Sequence, residues 1–218
     1  MKRLLQSLVA TVTLLSVIAF GQAEKPKIAL IMKTLSNEYF IAMKEGADKA
    51  AKEQNIDLVV QVAEKEDSTE QLVSLVENMI ASKVDAIIVT PNDSHAFVSV
   101  FSDSEKAGIP IIDLDVELDK DAAKAAGLTY YYVGVNNFEG GYKSAKRLVD
   151  ELGGKGKVVI LEGIPGVDNG EQRKAGAMKA FSEAAGIEVV ASQTANWETE
   201  QALNVMTNIL TANPDVVG

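Results

Sequence analysis

Residues 27–87 and 157–217 are two copies of one pattern. Shifted by 130 positions, the first segment lies on the second without a gap, and 14 of 61 positions carry the same residue. Composition alone would give about four such matches. Lys27, Lys44, Gly46, Ala47, Lys49, Ala50 and Glu53 meet Lys157, Lys174, Gly176, Ala177, Lys179, Ala180 and Glu183. Further along, Val59-Val60, Thr69-Glu70-Gln71, Asn78 and Asp85 meet Val189-Val190, Thr199-Glu200-Gln201, Asn208 and Asp215. A repeat of this length is a supersecondary unit used twice, so the chain is constrained to two similar lobes.

Within each copy, short apolar runs alternate with longer stretches of helical spacing. Lys27–Met32 (KIALIM) reads as a buried strand, and Phe40, Met43, Ala47 and Ala50 mark a helix over about 37–54. A strand at 57–62 follows, then a helix to Ser82 that Asp67, Ser68 or Thr69 can cap. A strand at 86–90, a helix at 94–107 and strands at 109–114 and 131–135 continue the series. Strands separated by helices of this length pair in parallel through right-handed crossovers, which predicts an α/β fold of two Rossmann-like lobes. The expected division is a leader at 1–23, a first lobe at 24–135 and a second at 136–218. Asp85 opens the third strand of the first unit, whereas its counterpart Asp215 opens only DVVG. The second lobe is therefore expected to be incomplete and the sequence partial.

Residues 1–23 carry the marks of a cleavable signal peptide. Lys2 and Arg3 precede an apolar run from Leu4 to Phe20, and Gly21-Gln22-Ala23 supplies small residues before Glu24. That run is short for a membrane span. No cysteine occurs, so there is neither a lipid-acceptor thiol nor a disulfide. The expected location is the periplasm. Loss of the leader takes the formal charge from −10 to −12, which argues against nucleic acid and anionic membrane as partners.

In open parallel sheets, ligands sit at the carboxyl ends of the strands. Lys33–Phe40, Thr90–Asp93 and Asp115 occupy that edge in the first lobe, and Gly163–Arg173 and Asn196–Glu198 in the second. Carboxylate, amide, ammonium and guanidinium groups there (Asp115, Asn37, Lys33, Arg173) suit hydroxyls. Tyr39, Phe40 and Trp197 offer flat faces to the C–H side of a ring. Each has an ordinary alternative taken singly. Phe40 can be core, Asp115 a solvated strand-end acid, Arg173 an exposed helix residue and Trp197 a pre-helix packing residue.

Six segments carry a resemblance: KTLSNEYF, TPNDS, AGIPIIDLD, VGVNNFEGG, LEGIPGVDNGEQRKAG and ASQTANWETEQALNVMTNILTANPDV. In that order they resemble the periplasmic sugar-binding proteins of the ribose and allose type, over essentially the whole mature chain. The resemblance implies that a monomeric receptor captures a monosaccharide between its lobes and delivers it to an ABC-type membrane permease, with no cofactor or metal. It further implies that Lys33, Asn37 and Asp115 bond the sugar from one lobe and Arg173 from the other. Phe40 and Trp197 would sandwich the ring, with Tyr39 as a secondary contact. An Asp115→Ala change is expected to deprive Arg173 or the sugar hydroxyls of a charged partner. Val116 departs from the charged residue usual after the site aspartate, so neither ribose nor allose follows automatically.

Other signals lead elsewhere and fail. The alternating acids from Asp113 to Asp121 place Leu118 and Lys124 where a calcium loop needs Gly and Glu, so a strand end and a solvated turn are expected. Gly153–Lys157 precedes a strand and lacks a phosphate loop's Ser or Thr. His95 is the sole histidine, expected at the surface or on a helix cap. No acid–base or nucleophilic set is visible, which disfavours a periplasmic α/β enzyme. A sugar-responsive repressor is disfavoured because a leader stands where a helix-turn-helix would be. A receptor for another small polyol or signal molecule stays open.

Overall fold

The computed structural model describes residues 24–218, so the expected leader lies outside the described residues. Strands and helices alternate along the whole of that length. The first seven elements are β1 (Lys27–Met32), α1 (Glu38–Gln54), β2 (Asp57–Val62), α2 (Thr69–Ala81), β3 (Ala86–Val89), α3 (Val98–Lys106) and β4 (Ile111–Leu114). Then come α4 (Lys120–Ala125), β5 (Tyr131–Val133), α5 (Asn137–Glu151), β6 (Lys155–Glu162), α6 (Asp168–Ser182), β7 (Gly186–Thr194) and α7 (Thr199–Ala212).

The first lobe is a five-stranded sheet in the order β2-β1-β3-β4-β5, every pair parallel. β1 lies inside the sheet between β2 and β3, and its last four residues, Ala29 to Met32, are all buried. Both faces of a parallel sheet are covered, so the strand reads as continuous apolar sequence. Ala29 and Ile31 pack with Leu72 and Val76 of α2 and with Val100 and Phe101 of α3. Leu30 and Met32 face Phe40, Met43 and Ala47 of α1 on the other side. α1 starts at Asn37, whose side chain caps Tyr39 N–H, and ends at Asn55 in the left-handed conformation.

In the second lobe β6 and β7 pair in parallel, and Val216 bridges to Lys157 on the opposite edge of β6. Val217 N–H donates to Lys157 O at 2.9 Å and Val159 N–H to Gly218 O at 3.0 Å. β6, α6, β7 and α7 thus stand where β1, α1, β2 and α2 stand in the first lobe, and Val216 where β3 begins. The second sheet has two strands against five, and it is the incomplete copy. α5 and α6 cross with backbones touching. A Cβ on Gly176 would run into the Phe138 carbonyl, and one on Gly141 into the Arg173 carbonyl. Val158, Ala145, Val149, Ala180 and Phe181 form the core beneath that crossing.

Three local expectations are corrected. The helix expected over 94–107 begins only at Val98. The Asp93 side chain accepts the N–H groups of His95 and Ala96 at 2.8 and 2.7 Å and holds those residues in a turn. β5 stops at Val133 instead of 135. The turn expected to be solvated after β4 is not, since Val116 and Leu118 are buried. A short helix, α4, then starts at Asp119, whose carboxylate caps Ala122 N–H at 2.7 Å. The run of alternating acids concealed that cap.

Candidate ligand-binding cleft

The carboxyl end of β1 delivers Lys33 into a cleft facing the second lobe. Its backbone N–H donates to Thr90 Oγ1 at 3.1 Å, which ties the β1–α1 connection to the end of β3. Asn37 is exposed and caps α1, with Oδ1 accepting Tyr39 N–H at 3.0 Å. Tyr39 and Phe40 lie edge to face, ring centres 5.1 Å apart. Asp115 follows β4 with φ of 77°, a left-handed conformation that aspartate tolerates better than most residues. Its N–H donates to Val133 O at 2.9 Å, and its carbonyl accepts the Tyr132 hydroxyl at 3.1 Å.

Asp115 gathers two first-lobe groups. Lys33 Nζ lies 3.1 Å from Oδ2, with both side chains almost wholly buried, and the Tyr39 hydroxyl donates to Oδ1 at 3.1 Å. Attraction in such a pair is opposed by desolvation of both charges, so each depends on the other being present. Burial, helped by the neighbouring Asp115 charge, pushes the Tyr39 hydroxyl up to about 12, so it remains a donor across the physiological range. Lys33 Nζ also lies 5.3 Å from the Phe40 ring centre and 5.8 Å from that of Trp197, within cation–π reach of an aromatic from each lobe.

From the second lobe come α6 and the turn after β7. Arg173 Nε donates to Asn137 Oδ1 of α5 at 2.8 Å. Of the partners expected for Asp115, Arg173 or the sugar hydroxyls, the guanidinium is instead steered by an amide, and Asp115 pairs with Lys33 and Tyr39. Asn196 and Trp197 both take positive φ, 50° and 57°. This turn lays the indole on backbone. A Cβ on Gly163 would strike the Trp197 ring, and one on Gly170 would press against it.

One cavity of about 350 Å³ is lined by all seven residues singled out in the sequence: Lys33, Asn37, Tyr39, Phe40, Asp115, Arg173 and Trp197. Glu66 and Asn169 complete its wall and were missed. Glu66 stands in the connection after β2, a carboxyl-edge loop whose signal was its position alone. Burial raises its carboxyl above the ordinary range, with Lys33 opposing. Asn169 lies in the first turn of α6, one turn before Arg173; it is buried, and its Oδ1 has no partner among the described residues. Two acids face two cations around this cavity, a formally balanced set rich in donors and acceptors. That set matches an uncharged polyhydroxylated ligand. The described residues contain no group of three or more His, Cys, Asp or Glu able to hold a metal ion. A larger space of about 540 Å³ opens between α5, α6 and β6, and its one acid, Glu162, is paired with Lys174 at 2.9 Å.

Comparison with known proteins bears on the family of the chain. The family model described as periplasmic binding protein domain matches residues 28–218. The D-ribose/D-allose-binding protein of Pseudomonas aeruginosa is 35% identical over 204 residues, 93% of this chain and 64% of that protein. The D-allose-binding periplasmic protein of Escherichia coli is also 35% identical, over 93% of this chain and 65% of its own length. A crystal structure of an ABC transporter periplasmic solute binding protein from Actinobacillus succinogenes, with bound D-allose, is 70% identical. It superposes with a TM-score of 0.83 over 88% of this chain and 66% of that one. The chain thus spans about two thirds of the length of these relatives.

Proposed function

Since the chain belongs to the periplasmic binding protein family, we propose that it is the sugar-capturing part of a periplasmic receptor for an ABC importer. Its ligand is a pentose or hexose of the allose or ribose kind, held between lobes at 24–135 and 136–218. The observation that carries this reading is the single cavity uniting the Lys33–Asp115–Tyr39 cluster with Trp197 and Arg173. Asp115, Lys33, Asn37 and Glu66 offer bonds to sugar hydroxyls from the first lobe, and Arg173 and Asn169 from the second. Phe40 and Trp197 flank the ring.

Binding is reversible and without turnover. Among the described residues the cleft shows no activated nucleophile, and Asp115 is occupied in holding Lys33 and Tyr39. The receptor works as a monomer in the periplasm after loss of the leader, and lobe closure on the sugar presents a joint surface to the membrane permease.

Trp197 is the only tryptophan, so its fluorescence reads the cleft directly. Titration with D-allose, D-ribose, D-xylose, D-galactose and myo-inositol should give a saturable change for one of them, with the sugar recovered unaltered. A flat response to all five from folded protein would remove a sugar ligand, and chemical conversion of any of them would make the protein an enzyme.

A further inference from the structure

We infer that Ser94 of the first lobe is a positioning residue for the second: with the lobes closed, its hydroxyl caps the start of α6, the helix that carries Asn169 and Arg173. Ser94 Oγ accepts the Asp168 N–H at 3.3 Å. Asp168 is the first residue of α6, and Val167 before it holds the N-cap position with extended backbone and a side chain that accepts nothing. The first amides of a helix have no partner within it, and a polar N-cap side chain commonly takes one of them. Asn37, Asp119 and Asn136 do so for α1, α4 and α5. At α6 an acceptor comes instead from 74 residues away, across the cleft.

The first lobe holds the serine ready for that task. The Asp93 carboxylate accepts the N–H groups of His95 and Ala96, and the Ser94 carbonyl accepts the Asp119 N–H at 2.9 Å. The turn is thus fixed on both sides of Ser94, which is itself buried. Apart from the connecting residues 135–137, this is the one hydrogen bond between the lobes among the described residues. A bond already at 3.3 Å does not survive opening of the cleft, so the cap belongs to the closed state. Closure therefore completes the first turn of α6, where Asn169 sits, and steadies Arg173 one turn further on. The second lobe's polar groups are set in place by the same movement that brings the two walls together.

This role rests on the proposed closure of the lobes on a sugar, but only the second arm of its test needs a sugar. In the first arm, amide exchange followed by NMR should be about tenfold faster at Asp168 in Ser94→Ala than in the wild type. The Arg173 Nε–H signal should shift in the same variant. Equal exchange in the two proteins, or an Arg173 signal indifferent to the change, overturns the inference. In the second arm, stopped-flow Trp197 fluorescence with D-allose or D-ribose should show dissociation about fivefold faster in Ser94→Ala. Association should be unchanged, because the sugar meets the open form, in which the bond is absent. Slower association with unchanged dissociation, the mark of a damaged open lobe, overturns the inference, as does no change in either rate. If neither sugar binds the wild type, the sugar reading falls and the exchange and Arg173 signals alone decide on Ser94.

Discussion

Ile31 and Leu161 occupy the same place in the repeat, yet Ile31 is fully buried and Leu161 is 39% exposed. Gly46 and Gly176 match as well. A side chain on the first would point into open space, and on the second it would meet the backbone of α5. The pair Lys27/Asp85 recurs as Lys157/Asp215, but through different atoms: a backbone N–H meets Asp85 at 2.7 Å, and the Lys157 ammonium meets Asp215 at 2.8 Å. Local sequence therefore decides that a strand or helix forms, and the neighbours decide what that element is worth. β1 is flanked by two strands and covered by helices on both faces, while β6 has one full partner and a bridge.

This contrast can be broken by experiment. The largest difference should come from the matched strands: Ile31→Ala should lower unfolding free energy by about 3 kcal/mol. Leu161→Ala should cost below about 1 kcal/mol, because much of its surface is already wet. Equal losses in urea titrations would mean that the two sheets are equally covered. Next, Asp115→Ala should destabilise the fold by about 3 kcal/mol by stranding the buried Lys33 ammonium. Arg173→Ala, removing an exposed guanidinium, should stay within about 1 kcal/mol while still weakening ligand binding. The glycines should differ in sign. Gly176→Ala is expected to cost about 1–3 kcal/mol by forcing α5 and α6 apart, whereas Gly46→Ala should stabilise α1 by about 0.5–1 kcal/mol. Loss of stability at both positions would show that α1 also carries a close neighbour there.

A pH dependence seated in the first lobe, where Asp113 is wholly buried, gives a further contrast. The folded protein holds the Asp113 proton up to about pH 8, whereas the unfolded chain releases it near the ordinary value of 3.8. The native state thus binds more protons between those values, and stability falls as pH rises through that window. Asp113→Asn should flatten the fall, so its melting temperature should gain on the wild type as pH increases. No gain between mildly acidic and mildly alkaline pH would mean that Asp113 ionises normally.

Much of the fold was legible because both periodicities are clean. KIALIM could be placed as a buried strand, and the 130-residue shift carried that placement to KVVILE. The cleft was legible where a strand end coincided with a distinctive residue, as at Lys33 and Asp115. What escaped depended on side-chain bonding that spacing does not encode. Asp93 holds 94–97 out of α3, Asp119 starts an unexpected helix, and Arg173 is steered by Asn137 of a different helix. Glu66 escaped because an acid in an acidic loop looks ordinary until burial distinguishes it. Asn169 escaped because an amide beside a charged residue draws less notice.

The seat of Trp197 lies on two residues that contribute no side chain. Gly163 and Gly170 leave the hollow that the indole fills, so one wall of the cleft takes its shape from atoms that are absent. The width available to a ligand is thereby written at positions that would touch no ligand at all. A methyl group at residue 163 would drive the indole off its seat and change the room beside Lys33, without altering a single hydrogen-bonding group. Ligand size and ligand chemistry are set by different residues in this cleft, and each can drift while the other is held.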